Sequence, residues 1–101
     1  MGYNKLVRDN IPEIIAATGG RAVIRILEDE EYLTHLYRKL REETQEFLES
    51  AEVEELCDIV EVIEAIAAAK GISSEEFHNR REEKAKRNGR FERRILLIQT
   101  E

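Results

Sequence analysis

The chain has no tryptophan, one cysteine, one proline and five glycines in 101 residues. One cysteine excludes an internal disulfide, and no second Cys or His lies at a zinc-ligand spacing from Cys57. With so little proline and glycine, there are few places where a helix must break. No apolar run approaches the roughly 20 residues needed to cross a bilayer, and nothing resembles a secretion signal, so a reducing cytoplasm is the expected setting. Positive charge is also in short supply. Sixteen Lys and Arg face 22 Asp and Glu, and the net charge of −6 argues against generic binding to nucleic acid or to anionic membranes.

The length fits a single domain spanning residues 1–101, with a small core and a high surface fraction that self-association would relieve. Residues 1–9 read as extended or irregular. Pro12 sits near the start of a short helix, and Gly19-Gly20 ends it. A long helix is expected from 29 to about 49, with Leu33, Leu36, Leu40 and Phe47 as its apolar stripe and Glu43 inside that stripe. A second runs from 52 to about 70, closed by Gly71. Its row Asp58, Val62, Ala65, Ala69 lies away from Leu56 and Val60, and its small residues predict a second packing partner, such as a neighbouring subunit. Ser73 followed by Glu76 is a capping box that opens a third helix to about 87. The β-branched run 22–27 and the run 91–98 after Asn88-Gly89 are expected to pair as a small β-ribbon joining the two ends. The fold class is thus mainly α, a helical bundle with that ribbon.

The informative stretch is 42–58. Glu43 and Glu46 are three residues apart, as are Glu55 and Asp58, so each pair shares a helix face. A reversal at Ser50–Ala51 places Glu43 level with Asp58 and Glu46 level with Glu55. Four carboxylates would then face one small volume, where they repel unless a cation sits among them. Oxygen-only ligands select a hard ion, Mg²⁺ or Mn²⁺. Either pair alone is common on solvated helices; the two together, with Glu43 on an apolar stripe, are not.

The run Lys39-Leu40-Arg41-Glu42-Glu43-Thr44-Gln45-Glu46, followed by Glu55-Leu56-Cys57-Asp58, resembles the Glu-Glu-x-x-Glu … Glu-x-x-Asp signature of the MazG-like all-α nucleoside triphosphate pyrophosphohydrolases. The opening Tyr3-Asn4-Lys5-Leu6-Val7-Arg8-Asp9-Asn10-Ile11-Pro12 and the closing Lys84 … Gly89-Arg90-Phe91 are similar to a small branch described as phosphoribosyl-ATP pyrophosphohydrolase-like. The resemblance implies Mg²⁺-dependent cleavage of a nucleotide between its α- and β-phosphates, giving a monophosphate and pyrophosphate. It implies Glu43, Glu46, Glu55 and Asp58 as metal ligands, and a homodimer or homotetramer. The eight-residue connection between Glu46 and Glu55 is shorter than in larger members and leaves less room for base recognition. Phosphoribosyl-ATP is the alternative substrate.

The chemistry suits the residues independently. Carboxylates approach a triphosphate only through a bridging metal, which neutralises charge and acidifies a water. Glu46 or Glu42 could orient that water as a general base. Lys84 and Arg87, with Lys5 and Arg8, are the candidate phosphate contacts. The rival reading is a non-catalytic helical dimerisation module, which Glu-rich helices with wide apolar faces also describe. A single Glu75-x-x-His78 does not make a carboxylate di-iron site, which needs two such motifs.

Overall fold

A computed structural model describes residues 4–101; the start of the expected irregular segment, including Tyr3, lies outside the described residues. Four helices follow one another: α1 (Ile11–Ala17), α2 (Asp29–Ser50), α3 (Val53–Ala69) and α4 (Ser74–Asn88). None is long and apolar enough to cross a membrane.

Local chemistry sets each boundary. Pro12 lies in the first turn of α1, where its missing N–H costs nothing. The acids Asp29, Glu30 and Glu31 fill the first turn of α2 and favour its positive dipole end. The hairpin turns at Ala51, held at φ +56° with its N–H donating to the Phe47 carbonyl at 2.7 Å. Ser50 Oγ accepts from the Glu52 N–H at 3.2 Å, steadying the entry to α3. Gly71, at φ +82°, ends α3: its N–H bonds Ala68 O at 3.0 Å, and that of Ile72 bonds Ala67 O at 2.9 Å. This pair of bonds closes orphan carbonyls in a left-handed cap that glycine adopts without strain. At the start of α4, Ser73 Oγ accepts from the Glu76 N–H at 3.1 Å, the first half of the expected box. The Glu76 carboxylate turns instead to Arg80, at 3.0 Å.

The principal packing is α2 against α3, an antiparallel pair joined by two residues; α4 touches α3 only. The α2 stripe faces α3 as expected, and Leu36 is 2% exposed. Val62 and Ala67 are the other buried apolar residues among those described, and Glu43, at 7% exposure, is buried with them. α1 packs directly against none of the other helices. The chain is elongated, 61 × 32 × 22 Å, with a radius of gyration of 17.8 Å where a compact domain of this length has about 13 Å.

One expectation is corrected. The β-ribbon is not formed: among the described residues there is no strand, 91–98 lie irregular and exposed, and 22–27 are irregular and exposed apart from the half-buried Ala22 and Leu27. Val23 is 91% and Phe91 97% exposed, so these runs lack the half-buried surface that makes β-branched and aromatic residues favour strands. Arg94, at φ +57°, with its N–H donating to Phe91 O, also bends the second run into a turn. Of the row Asp58, Val62, Ala65 and Ala69, the first three line a groove under the chain's own N-terminal segment and Ala69 is exposed; another face of α3 exposes Val53, Leu56 and Val60.

Candidate functional site

The hairpin brings three of the four expected acids into one group, with Glu46 outside it. Glu43 on α2 and Glu55 and Asp58 on α3 each offer a carboxylate oxygen, and the three oxygens lie within 4.8 Å of one another. Glu46 is exposed beside them, close enough for its charge to act on Glu43 and for its carboxylate to pair with that of Glu55.

Burial and like charge leave a mark on two of these acids. Desolvation raises the pKa of Glu43 above the ordinary glutamate value; Lys39 opposes the shift and the Glu46 charge adds to it. Glu55 is raised as well, by desolvation first and then by the charges of Asp58 and Glu43. Each therefore holds its proton more tightly than an isolated glutamate, because burial disfavours the charged form and the neighbouring acids add to that.

Three basic residues do approach. Arg8 Nη2 donates to Asp58 Oδ1 at 2.6 Å, and Lys5 Nζ donates to Glu42 Oε1 at 3.1 Å. Lys39 Nζ lies 3.3 Å from Glu43 and 3.8 Å from Glu42. Contact with the acids raises the pKa of both Arg8 and Lys5. Sequence reasoning singled out Lys5 and Arg8 but gave Lys39 no role, although its spacing of four from Glu43 is the spacing of neighbours on a helix. Lys84 and Arg87 are exposed on α4 and are not among the residues lining the groove beside the acids.

That groove has a volume of about 740 Å³, within the usual range for small-molecule sites. Charged side chains of Arg8, Asp9, Lys39, Glu43, Asp58, Glu61 and Glu64 line it together with apolar ones that include Leu6, Ile11, Leu36, Val62 and Ala65, and with Tyr32. Tyr32 carried no signal in the sequence beyond its place on α2.

The donor set fits a hard divalent cation: carboxylates only, partly desolvated, with unbalanced negative charge.

In class, the chain is an all-α helical protein built on an antiparallel hairpin that presents an acidic cluster. No protein-family profile matches it, and no solved structure does. It is similar to an uncharacterized protein of Mycolicibacterium smegmatis, 55% identical over 42 residues. That match spans 42% of this chain and 43% of the relative, so the chain covers less than half of the relative's length.

Proposed function

We propose that the chain is a Mg²⁺-dependent nucleotide pyrophosphohydrolase of the MazG-like kind, cleaving a nucleoside triphosphate or related nucleotide between the α- and β-phosphates. The observation that carries this reading is the meeting of Glu43, Glu55 and Asp58 within 4.8 Å, with Glu43 and Asp58 also lining the groove of about 740 Å³. Glu43, Glu55 and Asp58, with Glu46 beside them, would hold Mg²⁺ or Mn²⁺. When bound, the ion supplies charge neutralisation and acidifies a nearby water. Glu46, exposed and in no ion pair among the described residues, is better placed than Glu42 to take the proton of the attacking water; Glu42 is engaged by Lys5 and Lys39. Arg8, which lines the groove, and Lys5, which pairs with Glu42, are the cations for phosphate oxygens. The apolar wall with Tyr32 would receive the base or sugar. The shape and charge of the groove do not distinguish phosphoribosyl-ATP from other nucleotides, so it stays in the substrate class.

The proposal includes a homodimer or homotetramer. The accessible surface is 9354 Å², against about 5,900 Å² for a compact monomer of this mass. The difference is on the scale of an obligate interface. The same exposed surface supports the rival reading, a helical dimerisation module without catalysis.

One experiment separates the two. Purified protein is incubated with Mg²⁺ and a panel of standard, deoxy and modified triphosphates together with phosphoribosyl-ATP. Monophosphate plus pyrophosphate is the expected product pair. Orthophosphate would mean a different reaction, and no turnover across the panel would leave the dimerisation module.

A further inference from the structure

The segment before α1 is attached in an unusual way. α1 packs on no other helix, and a wide groove separates it from the hairpin. Two ion pairs cross that space: Arg8 to Asp58 over 50 positions of sequence and Lys5 to Glu42 over 37. Between them, Leu6 and Val7 lie over the groove. Val7 is 45% exposed, and both ion pairs are solvent-accessible. The hold is therefore largely ionic, and a competing cation can release it.

We propose that the N-terminal segment is a releasable strap, with Arg8 serving as the chain's own counter-ion for Asp58 in competition with a divalent cation. The inference rests on the metal reading above and concerns what these residues do toward the ion. Arg8 brings one positive charge to an oxygen that also belongs to the acidic trio. A divalent ion among Glu43, Glu55 and Asp58 brings two charges to the same place and repels the guanidinium. Binding therefore frees Arg8, loosens the segment ahead of α1 and widens access to the groove. A ligand could then enter only once the ion is in place, and the freed guanidinium would stand at the groove mouth.

The test uses Mn²⁺ as probe, with calorimetric titration of the unmodified protein and of Arg8→Gln, and melts in chelator. Arg8→Gln should bind Mn²⁺ about two- to five-fold tighter, the range an exposed ion pair supplies, while its metal-free melting temperature falls. Arg25→Gln is the control: Arg25 pairs with Glu31 at 2.8 Å outside the acidic cluster, and its loss should leave Mn²⁺ affinity unchanged. A second measurement needs no variant. Limited trypsin cleavage after Lys5 and Arg8 of the unmodified protein, both held in ion pairs, should speed up on adding Mn²⁺. Unchanged or weaker Mn²⁺ affinity in Arg8→Gln, or cleavage after Lys5 and Arg8 that does not speed up with Mn²⁺, overturns the strap while leaving the metal site standing. Absence of Mn²⁺ binding by both proteins overturns the metal reading and the strap with it.

Discussion

Lys39 Nζ lies 3.3 Å from Oε1 of Glu43, one turn further along α2, and still does not offset what burial does to that carboxylate. Glu43 and Glu55 both hold their protons more tightly in the folded chain than an ordinary glutamate does. From the ordinary glutamate range up to these raised values, the native state binds more protons than the unfolded state. Stability therefore falls as pH rises through that window, the reverse of a salt-bridged carboxylate. Melts in chelator should show a metal-free melting temperature that drops as pH rises from about 4.5 through the raised values. Glu43→Gln should flatten the slope, and Lys39→Gln should steepen it. A slope untouched by Glu43→Gln would put the linked proton on another residue.

The hairpin turn carries a cost that can be removed. Ala51 sits at φ +56°, a left-handed conformation in which Cβ crowds the following carbonyl. Ala51→Gly should stabilise the fold by about 0.5–1 kcal/mol, the steric relief exceeding the added entropy of glycine in the unfolded chain. Chemical denaturation would show a higher midpoint with an unchanged slope. A lower midpoint would mean that the strain is absorbed elsewhere in the turn.

The helices and the acidic cluster were legible because each rests on local spacing. The α2 stripe shows a glutamate where a leucine is expected, and that glutamate is buried; Ser73 and Gly71 mark helix ends by their own hydrogen-bonding and conformational chemistry. What failed depended on surroundings. The runs 22–27 and 91–98 have strand composition, but strand preference expresses fit to a neighbouring pleated surface, and the described residues supply none. Charge patterning identified cations but not their positions. Lys84 and Arg87 lie in a basic cluster yet stay on exposed α4, whereas Lys5 and Arg8, in an irregular segment, reach the acids through a fold path that no periodicity encodes.

Self-association should depend on the outward face of α3. Val53, Leu56 and Val60 share that face at spacings of three and four and are 70%, 41% and 55% exposed. Leu56→Glu or Val60→Lys should shift sedimentation toward monomer while changing far-UV helix signal little. Ala65→Glu, by contrast, places charge in the groove under the N-terminal segment and should perturb the fold more than the assembly. A monomeric unmodified protein at micromolar concentration would rule out the oligomer.

Glu55 gives the sharpest separation between a metal enzyme and an interaction module. Asp58 is in an ion pair with Arg8, so neutralising it both relieves repulsion and breaks a contact. Glu55 is in no ion pair with a basic residue among those described, and the charges of Asp58 and Glu43 push against its ionised form. Glu55→Gln keeps the shape and removes one negative charge, so the metal-free melting temperature should hold or rise. The stabilisation by millimolar Mg²⁺ should shrink, since a ligand that binds only the native state stabilises according to its affinity. Turnover of the substrate found in the panel should fall by about 10²-fold or more, as when one charge-stabilising group is removed from an active site. Activity and metal response lost while metal-free stability is kept is the signature of a ligand. If metal-free stability falls and the Mg²⁺ shift survives, Glu55 is a structural residue and the ion is held elsewhere.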